Sequence, residues 1–431
     1  MLTDPRPALG EQSNFVGYLV GLAHLARAVH ALACDGQPLR PAARSRRLHS
    51  PAARSREHGG RDQSPRRVRA GSAVRNNRCA GFPRDEYPMA AMSAMLARSD
   101  FIRTPVLASA RPEGFKEWYH FVVHRPGSRI LINFSLTSET SSAGHPRLMP
   151  RVIVIAHDQR WTGAVERFDD SELDVSADLA TLVIGDNQMI VRPDGYRVMI
   201  DLPGHDIRGE FGFTSVSQPF VVNNQPVGDG RMCWLFVPRM RADGWLRVGG
   251  EEISFDGDVA YHDHNWGRFR WGGDFGWSWG TILPPDPEAP WSLVFLRMTD
   301  RRRLCSLSQA LYVWRHDEPA AIFRHAAVEV KSHGLLGRAA DCTLPPPMRL
   351  VLNGDVSDIP ERMEVTAQRA GDTVHAEFRP QSYARLAQPS EICLDRSVVL
   401  CETNASARVT GSIDGEEIDF VGPSVFELLY G

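Results

Sequence analysis

The stretch Tyr261–Gly280, which reads YHDHNWGRFRWGGDFGWSWG, organises the chain. Its twenty residues contain four Trp, two Phe, one Tyr, two His, two Asp and five Gly. A core of aromatic rings does not explain the carboxylates and imidazoles between them, because burying an unpaired polar group is costly. The mixture therefore predicts a site in which polar groups act among aromatic rings.

The first half of this stretch has the pattern of a strand that enters a turn, so alternate side chains point to opposite faces. The alternation gives two sets: Tyr261, Asp263 and Asn265 on one face, and His262, His264 and Trp266 on the other. The two histidines have the spacing of half a metal site, but no comparable cluster supplies further ligands, so we predict no metal. The other interpretation of both histidines is hydrogen bonding within a packed turn.

Asp263 is the candidate catalytic acid. A carboxyl group surrounded by aromatic residues is desolvated, which raises its pKa and keeps it protonated near neutral pH. A protonated carboxyl group can act as a general acid. The alternative is that Asp263 caps the turn at Asn265–Gly267 and has only a structural role.

The second half of the stretch places Trp277 and Trp279 on one face, with Trp271 and Asp274 nearby. Aromatic rings that face a cavity can bind unsaturated apolar ligands and stabilise a cation through their π faces. These four residues are therefore predicted to contact a substrate. A plain aromatic core is the alternative.

Three further stretches combine aromatic and polar residues: Lys116–Phe121, Cys233–Phe236 and Gly422–Glu427. In the first, alternation places Trp118 and His120 on the face opposite Tyr119. The chain contains no dinucleotide-binding, phosphate-loop, serine-hydrolase or zinc-protease motif. We therefore predict no cofactor.

From about residue 100 the sequence shows short strand-like runs bounded by turn residues, without a convincing helical pattern. This predicts an all-β protein of antiparallel barrels or sandwiches. The length favours two β domains, residues 95–271 and 272–431. Three Asp-Gly dipeptides are predicted to form hairpin turns, and a proline-rich break is predicted to lie within a hairpin: Asp243-Gly244, Asp256-Gly257, Asp414-Gly415 and Pro284–Pro287.

Residues 1–94 differ from the rest. Twelve arginines lie between residues 36 and 80, although the net charge of the whole chain is −3. Few apolar residues and high charge predict that this segment is disordered, or that it precedes a start nearer Met95. The remaining, acidic part argues against a nucleic-acid partner. Seven scattered cysteines without a CxxC pair favour a reduced, cytoplasmic setting.

The chain resembles the hydroxyneurosporene synthase / carotenoid 1,2-hydratase family and its AttH-like relatives. The resemblance spans residues 100–431 and is carried by four motifs: Glu117–His120, Tyr261–Gly267, Trp277–Trp279 and Gly422–Glu427. The central motif is specific to the superfamily rather than to one activity, because relatives include hydratases, decalin-forming pericyclases and proteins of unknown role.

The resemblance implies a pair of calycin- or lipocalin-like β domains with a ligand pocket near their junction. It also implies catalytic roles for Tyr261 and Asp263, which match the proposed catalytic Tyr and Asp of the carotenoid hydratases. Those enzymes use a His on the upstream strand as well. Here that strand has Cys233–Phe236, which contains no His.

We thus predict a cofactor-free lyase that adds water to a double bond of a hydrophobic polyene or isoprenoid. The alternatives are a polyene cyclase or pericyclase and a non-enzymatic lipid carrier. A ligand drawn from a bilayer would add peripheral membrane contact. The predicted catalytic residues are Asp263, Tyr261 and His264. The predicted substrate-binding residues are Trp118, Tyr119, Trp234, Phe236, His262, Asn265, Trp266, Trp271, Asp274, Trp277 and Trp279.

Overall fold

The structure is a computed structural model that describes residues 99–110, 113–125, 127–140, 146–286, 288–336, 359–393 and 396–430. The predictions for residues 1–94 lie outside this part. Within it, the prediction of an all-β protein built from two antiparallel sheets is confirmed. One short helix, α1 (Thr104–Ala110), precedes the strands.

The described strands fall into two consecutive groups. The first group is β1 (Phe115–Arg125), β2 (Ser128–Thr140), β3 (Pro146–His157), β4 (Trp161–Arg167), β5 (Leu173–Val175), β6 (Thr181–Ile184), β7 (Asn187–Arg192), β8 (Gly195–Leu202), β9 (Ile207–Ser215), β10 (Phe220–Val227), β11 (Gly230–Val248) and β12 (Glu251–Arg268). The second is β13 (Gly276–Ile282), β14 (Trp291–Thr299), β15 (Ser306–Arg315), β16 (Glu318–Arg324), β17 (Val328–His333), β18 (Arg362–Arg369), β19 (Asp372–Pro389), β20 (Ser397–Ile413) and β21 (Glu416–Tyr430).

The first sheet has the order β4-β3-β2-β1-β12-β11-β9-β8-β7-β6-β5, with β10 paired to β11. Its last long strand, β12, therefore lies between β1 and β11 in the middle of the sheet. The second sheet has the order β16-β15-β14-β13-β21-β20-β19-β18-β17. The chain leaves the first sheet at Arg268 and enters the second at Gly276. The predicted domain boundary at residue 272 falls in this connection.

The turn predictions had mixed outcomes. Asp414-Gly415 joins β20 to β21 with positive φ at both residues, and the proline-rich break lies between the paired strands β13 and β14, as predicted. The hairpin predictions at Asp243-Gly244 and Asp256-Gly257 are wrong, because β11 and β12 continue through them. Gly244 instead lies at a shift in the β11–β12 register. Gly249-Gly250 makes that hairpin turn, again with positive φ at both positions.

Each sheet has two faces, and the buried apolar side chains on these faces form three hydrophobic clusters. One cluster lies inside the first sheet and contains Phe121, Phe213 and Leu235. A second lies inside the second sheet and contains Phe295 and Phe378. The third takes side chains from both sheets and is rich in aromatic residues: Trp234, Phe236, Tyr261, Phe269, Phe275, Trp277, Trp279, Tyr312 and Trp314. Side chains of β12 therefore alternate between the first cluster and the third.

Gly267, which closes the central motif, is required by a close backbone approach. Its φ is not in the left-handed region, but a Cβ atom there would lie 2.2 Å from the carbonyl oxygen of Arg231 on β11. Any larger residue must push β11 away from β12, and this would loosen the strand pair that carries the motif.

Gly267→Ala is expected to lower the free energy of unfolding by about 1–3 kcal/mol, the usual cost of overpacking. Urea unfolding measures the change. The matched control is Gly212→Ala on β9, where a Cβ atom would meet nothing within 4 Å. Equal stability of the two variants would show that the Arg231 carbonyl does not impose glycine at position 267.

Candidate functional site

A small cavity lies in the third cluster, where side chains of both sheets meet. The residues that line it come from six strands: Trp118 and His120, Met232 and Trp234, Asp263 and Asn265, Trp277 and Trp279, Leu296, and Glu427. Six of these ten were predicted as site residues from the sequence. The strand alternation explains the grouping, because β1, β11 and β12 are neighbours and each presents alternate residues to the cavity.

Asp263 is held at the cavity wall by its strand neighbours. The Tyr261 hydroxyl donates a hydrogen bond to Oδ2 of Asp263 at 3.0 Å, and the Asn265 amide donates to Oδ1 at 2.6 Å. Both donors lie two residues away on the same face of β12. The carboxyl group is therefore fixed in orientation by the motif itself.

The environment of Asp263 favours its neutral form. Burial raises the pKa of this carboxyl group well above its usual range, and the nearby Glu427 raises it further. Hydrogen bonds from Tyr261, Trp234 and Asn265 oppose the shift without overcoming it. The surroundings of Asp263 therefore favour the protonated form of its carboxyl group.

Two further buried carboxyl groups accompany Asp263. Glu427 on β21 and Glu402 on β20 are direct cross-strand partners. Burial raises the pKa of Glu402 well above its usual range, and the charge of Glu427 and its hydrogen bond with Glu402 add to this effect. Burial also raises the pKa of Glu427, against hydrogen bonds from Glu402 and Trp277. The second sheet therefore contributes acidic groups that are also held toward their neutral forms.

Tryptophan rings form much of the cavity wall. Trp277 donates its indole N–H to Glu427, and Trp279 packs against Tyr261 with ring centroids 5.1 Å apart. Trp118 and Trp234 face the cavity from β1 and β11, on either side of β12. The π faces of such rings favour positive charge. The site thus combines a neutral acid with walls suited to a developing cation.

His120 also lines the cavity, and it is the direct cross-strand partner of Asp263. Burial lowers the pKa of His120 to about 3, with a smaller contribution from the charge of His262. The ring is therefore neutral near pH 7. Its Nε2 atom is buried and has no hydrogen-bond partner among the described residues.

The predicted roles of His264, His262, Tyr119 and Trp266 in direct substrate contact are corrected by the structure. All four side chains lie on the opposite face of the sheet, away from the cavity. The reason is the alternation along β1 and β12, which turns every second residue into the first cluster. Tyr119 stacks on His264 there, with ring centroids 3.8 Å apart.

His264 is instead the centre of a buried ionic network. Its Nδ1 atom contacts Asp100, and its Nε2 atom lies 2.9 Å from Glu117 Oε1. His262 donates from Nδ1 to the His120 carbonyl oxygen at 3.0 Å and lies 3.3 Å from Asp100 through Nε2. Both ring nitrogens of His264 thus face carboxyl oxygens of Asp100 and Glu117.

This network anchors β1 and β12 on the face of the sheet opposite the cavity. Burial alone would raise the pKa of Asp100, but the charge of His264 and hydrogen bonds from both histidines hold it well below its usual range. Glu117 accepts hydrogen bonds from the backbone N–H groups of Arg103 and Thr104, both at 2.7 Å. The negative charge at the start of α1 favours the helix. Residues 100–104 are thereby tied to β1 and β12.

The remaining predicted residues lie at or beyond the edge of the cavity. Phe236 packs against Trp234 at 4.3 Å and supports the wall without lining it. Trp271 is half-buried, 6.4 Å from Trp118 and 6.0 Å from Trp277. Asp274 is exposed and accepts a hydrogen bond from the backbone of Arg301, so the prediction that it binds substrate is wrong.

The cavity volume is about 40 Å³. Pockets for small molecules are typically of about 300–1,000 Å³. The cavity therefore accommodates a water molecule or a small terminal group, and a longer ligand requires the tryptophan walls to move.

Among the described residues, no group of three or more His, Cys, Asp or Glu side chains could hold a metal ion. No helix of this part of the chain is long and apolar enough to cross a membrane.

The sequence analysis missed His120, Glu402 and Glu427 as site residues. The sequence contained a usable pattern for His120 and for Glu402. His120 shares a strand face with Trp118, whereas Glu402 interrupts an otherwise apolar alternation after Val398 and Leu400. Only the pairing of β21 with both β13 and β20 shows that these groups meet.

The fold is shared with proteins of known structure. An AttH-like protein from Nitrosomonas europaea has a TM-score of 0.51 at 14% identity, over 74% of this chain and 92% of its own. Kievitone hydratase from Nectria haematococca has a TM-score of 0.48 at 11% identity, over 74% and 89%. CghA with Sch210972 has a TM-score of 0.48 at 12% identity, over 74% and 89%.

At this identity the likeness to the AttH-like protein shows the fold alone. No protein-family model matches the sequence, and no curated protein is similar to it. The finer relationship to hydroxyneurosporene synthases stays a prediction.

Glu402→Gln is expected to stabilise the fold at alkaline pH. A carboxyl group whose pKa is raised in the folded state destabilises that state as the pH rises from the unfolded pKa toward the folded one. The amide cannot ionise and can still donate to Glu427. We expect a gain in unfolding free energy of about 1 kcal/mol or more near pH 8, which disappears toward about pH 4.

Urea unfolding at a series of pH values measures this gain, with Glu251→Gln as the control because Glu251 is exposed at the start of β12. A gain that does not depend on pH would contradict the assignment of a raised pKa to Glu402.

Proposed function

We propose that this chain is an acid-catalysed lyase that adds water, without a cofactor, to an isolated double bond of a hydrophobic isoprenoid or polyene. The observation that carries the proposal is the buried carboxyl group of Asp263, whose raised pKa favours its neutral form, in a small cavity lined by four tryptophans. Protonation of an unactivated alkene needs an acid that still holds its proton at the working pH and a site with limited access for bulk water. The buried aromatic surroundings of Asp263 favour both conditions.

Asp263 donates its proton to one carbon of the double bond, and the other carbon becomes a carbocation. Tyr261 and Asn265 hold the carboxyl group and then stabilise the carboxylate that remains, since both donate hydrogen bonds to it. Charge-assisted hydrogen bonds are stronger than neutral ones. These contacts therefore favour the state that follows proton transfer.

The cation is stabilised by the walls. Trp118, Trp234, Trp277 and Trp279 present indole rings, and no Lys or Arg is among the residues that line the cavity. A cation at the face of an aromatic ring is stabilised by about 0.5–2 kcal/mol, more where water is excluded. Several rings together lower the energy of the intermediate that limits the reaction.

The cavity size indicates which part of the substrate reacts. A volume of about 40 Å³ does not hold a whole polyene. The end group of a linear isoprenoid is a small branched alkene, and it can enter between the tryptophans while the rest of the chain lies outside. A linear carotenoid is therefore the substrate class that we propose, consistent with the sequence motifs.

The test is incubation of the protein with lycopene, neurosporene and a total lipid extract in water enriched in heavy oxygen. Mass spectrometry should find a product that has gained one water molecule with the labelled oxygen. A product isomeric with the substrate would instead favour a cyclase. A co-purifying lipid without any mass change would favour a carrier.

Asp263→Asn is expected to lower the rate of labelled-alcohol formation by about 10²-fold or more, the usual contribution of a general acid. The matched control is Asp274→Asn, which removes an exposed carboxyl group a short distance along the chain and should not change the rate. Activity should also fall as the pH rises through the raised pKa of Asp263. Full turnover by Asp263→Asn would contradict its role as the acid.

A further inference from the structure

The proposed reaction needs a group that accepts a proton from water, and His120 occupies a suitable position. It lies on β1 directly across from Asp263 on β12, in a pair that places both side chains on the cavity face. Side chains of directly opposed residues have Cβ atoms about 4.5–5.5 Å apart. His120 and Asp263 are therefore close enough to act on the two ends of one double bond.

The hydrogen bonding of His120 differs from that of its histidine neighbours. Both ring nitrogens of His262 and of His264 contact acceptors within the protein. His120 is 6% exposed, its Nε2 atom is buried, and within the described part of the chain that atom has no hydrogen-bond partner. A buried polar atom without a partner costs about 1–3 kcal/mol, so its retention at a cavity wall suggests a ligand contact.

The ring of His120 is neutral and fixed. Burial lowers its pKa to about 3, so at neutral pH one ring nitrogen carries a lone pair. Trp279 meets the ring edge to face, with centroids 5.9 Å apart. A neutral imidazole held in this way can accept a hydrogen bond from a water molecule inside the cavity.

We propose that His120 binds the attacking water through Nε2, accepts its proton, and returns that proton to Asp263. This inference rests on the proposed function. Asp263 gives its proton to one alkene carbon, and the water oxygen forms a bond to the other carbon. One O–H bond of that water breaks, and its proton moves to Nε2. The proton then passes to the Asp263 carboxylate, so water and alkene become an alcohol and both residues are restored.

The direction of the last transfer follows from the two environments. An imidazolium in a site that disfavours its charge is a stronger acid than the buried carboxyl group of Asp263. Proton transfer from His120 back to Asp263 is therefore thermodynamically favourable. The arrangement separates the two tasks, because the donor lies on β12 and the acceptor lies on β1.

The position of His120 is also relevant to one difference between this sequence and the carotenoid hydratases, the absence of a His on the strand upstream of β12. The resemblance implies a catalytic His on the strand that corresponds to β11, where this chain has Met232 and Trp234 on the cavity face. β11 and β1 flank β12 on opposite sides. His120 therefore approaches Asp263 from the other side of the strand.

The test compares wild type with His120→Leu in heavy water, with lycopene and neurosporene as probes. The variant keeps Asp263, so the alkene is still deuterated, but the cation loses a proton instead of capturing water. We expect alcohol formation to fall by about 10²-fold while deuterium still appears in recovered alkene. A merely structural role for His120 would lower both products together.

The matched control is His124→Leu. His124 is also a buried histidine on β1, and neither of its ring nitrogens has a partner in the part of the chain that the structure describes, but it does not line the cavity. This variant should keep the wild-type ratio of alcohol to deuterated alkene, and thermal unfolding of both variants checks that they fold.

The outcomes separate the two proposals. An unchanged ratio in His120→Leu, with active wild type, overturns the role of His120 and leaves Asp263 as the acid. Wild type that forms neither alcohol nor deuterated alkene from either carotenoid overturns the proposed function and this inference with it.

Discussion

The alternation of side chains along β12 is the constraint on which the rest of the site depends. One face of the strand presents Tyr261, Asp263 and Asn265 to the cavity, and the other presents His262 and His264 to a buried ionic network. A shift of the strand by one residue would exchange the two faces. The contacts of His264 with Asp100 and Glu117 oppose such a shift, because it would leave buried charges unpaired.

The same constraint explains why two buried Asp residues behave oppositely. Asp100 and Asp263 both experience burial that disfavours their charged forms. Asp100 contacts two histidines, and their charge and hydrogen bonds lower its pKa, whereas Asp263 lies near Glu427 and receives hydrogen bonds from neutral donors only. The sheet therefore keeps its stabilising ion pairs on one face and its neutral acid on the other, where the acid is available to a substrate.

Local patterns predicted much of this arrangement, and long-range pairing accounts for the rest. Strand periodicity was enough to identify the all-β fold and to place Asp263 beside Tyr261 and Asn265. Periodicity placed His264 on the face opposite Asp263 but could not say which face of β12 meets the second sheet, so His264 was still predicted to be catalytic. Likewise, Glu427 reaches the cavity only because β21 pairs with β13, which is distant in the sequence. The hairpin predictions at Asp243-Gly244 and Asp256-Gly257 failed because each glycine has a positive φ within a long strand that continues past it.

The protonation state of Asp263 in the resting protein is the most direct test of the account. Infrared difference spectra between wild type and Asp263→Asn at neutral pH report the removed group alone, which separates it from Glu402 and Glu427. The account predicts that the difference contains the C=O stretch of a protonated carboxylic acid. A difference that contains only the bands of an ionised carboxylate would contradict it, because Asp263 could not then donate a proton to an alkene.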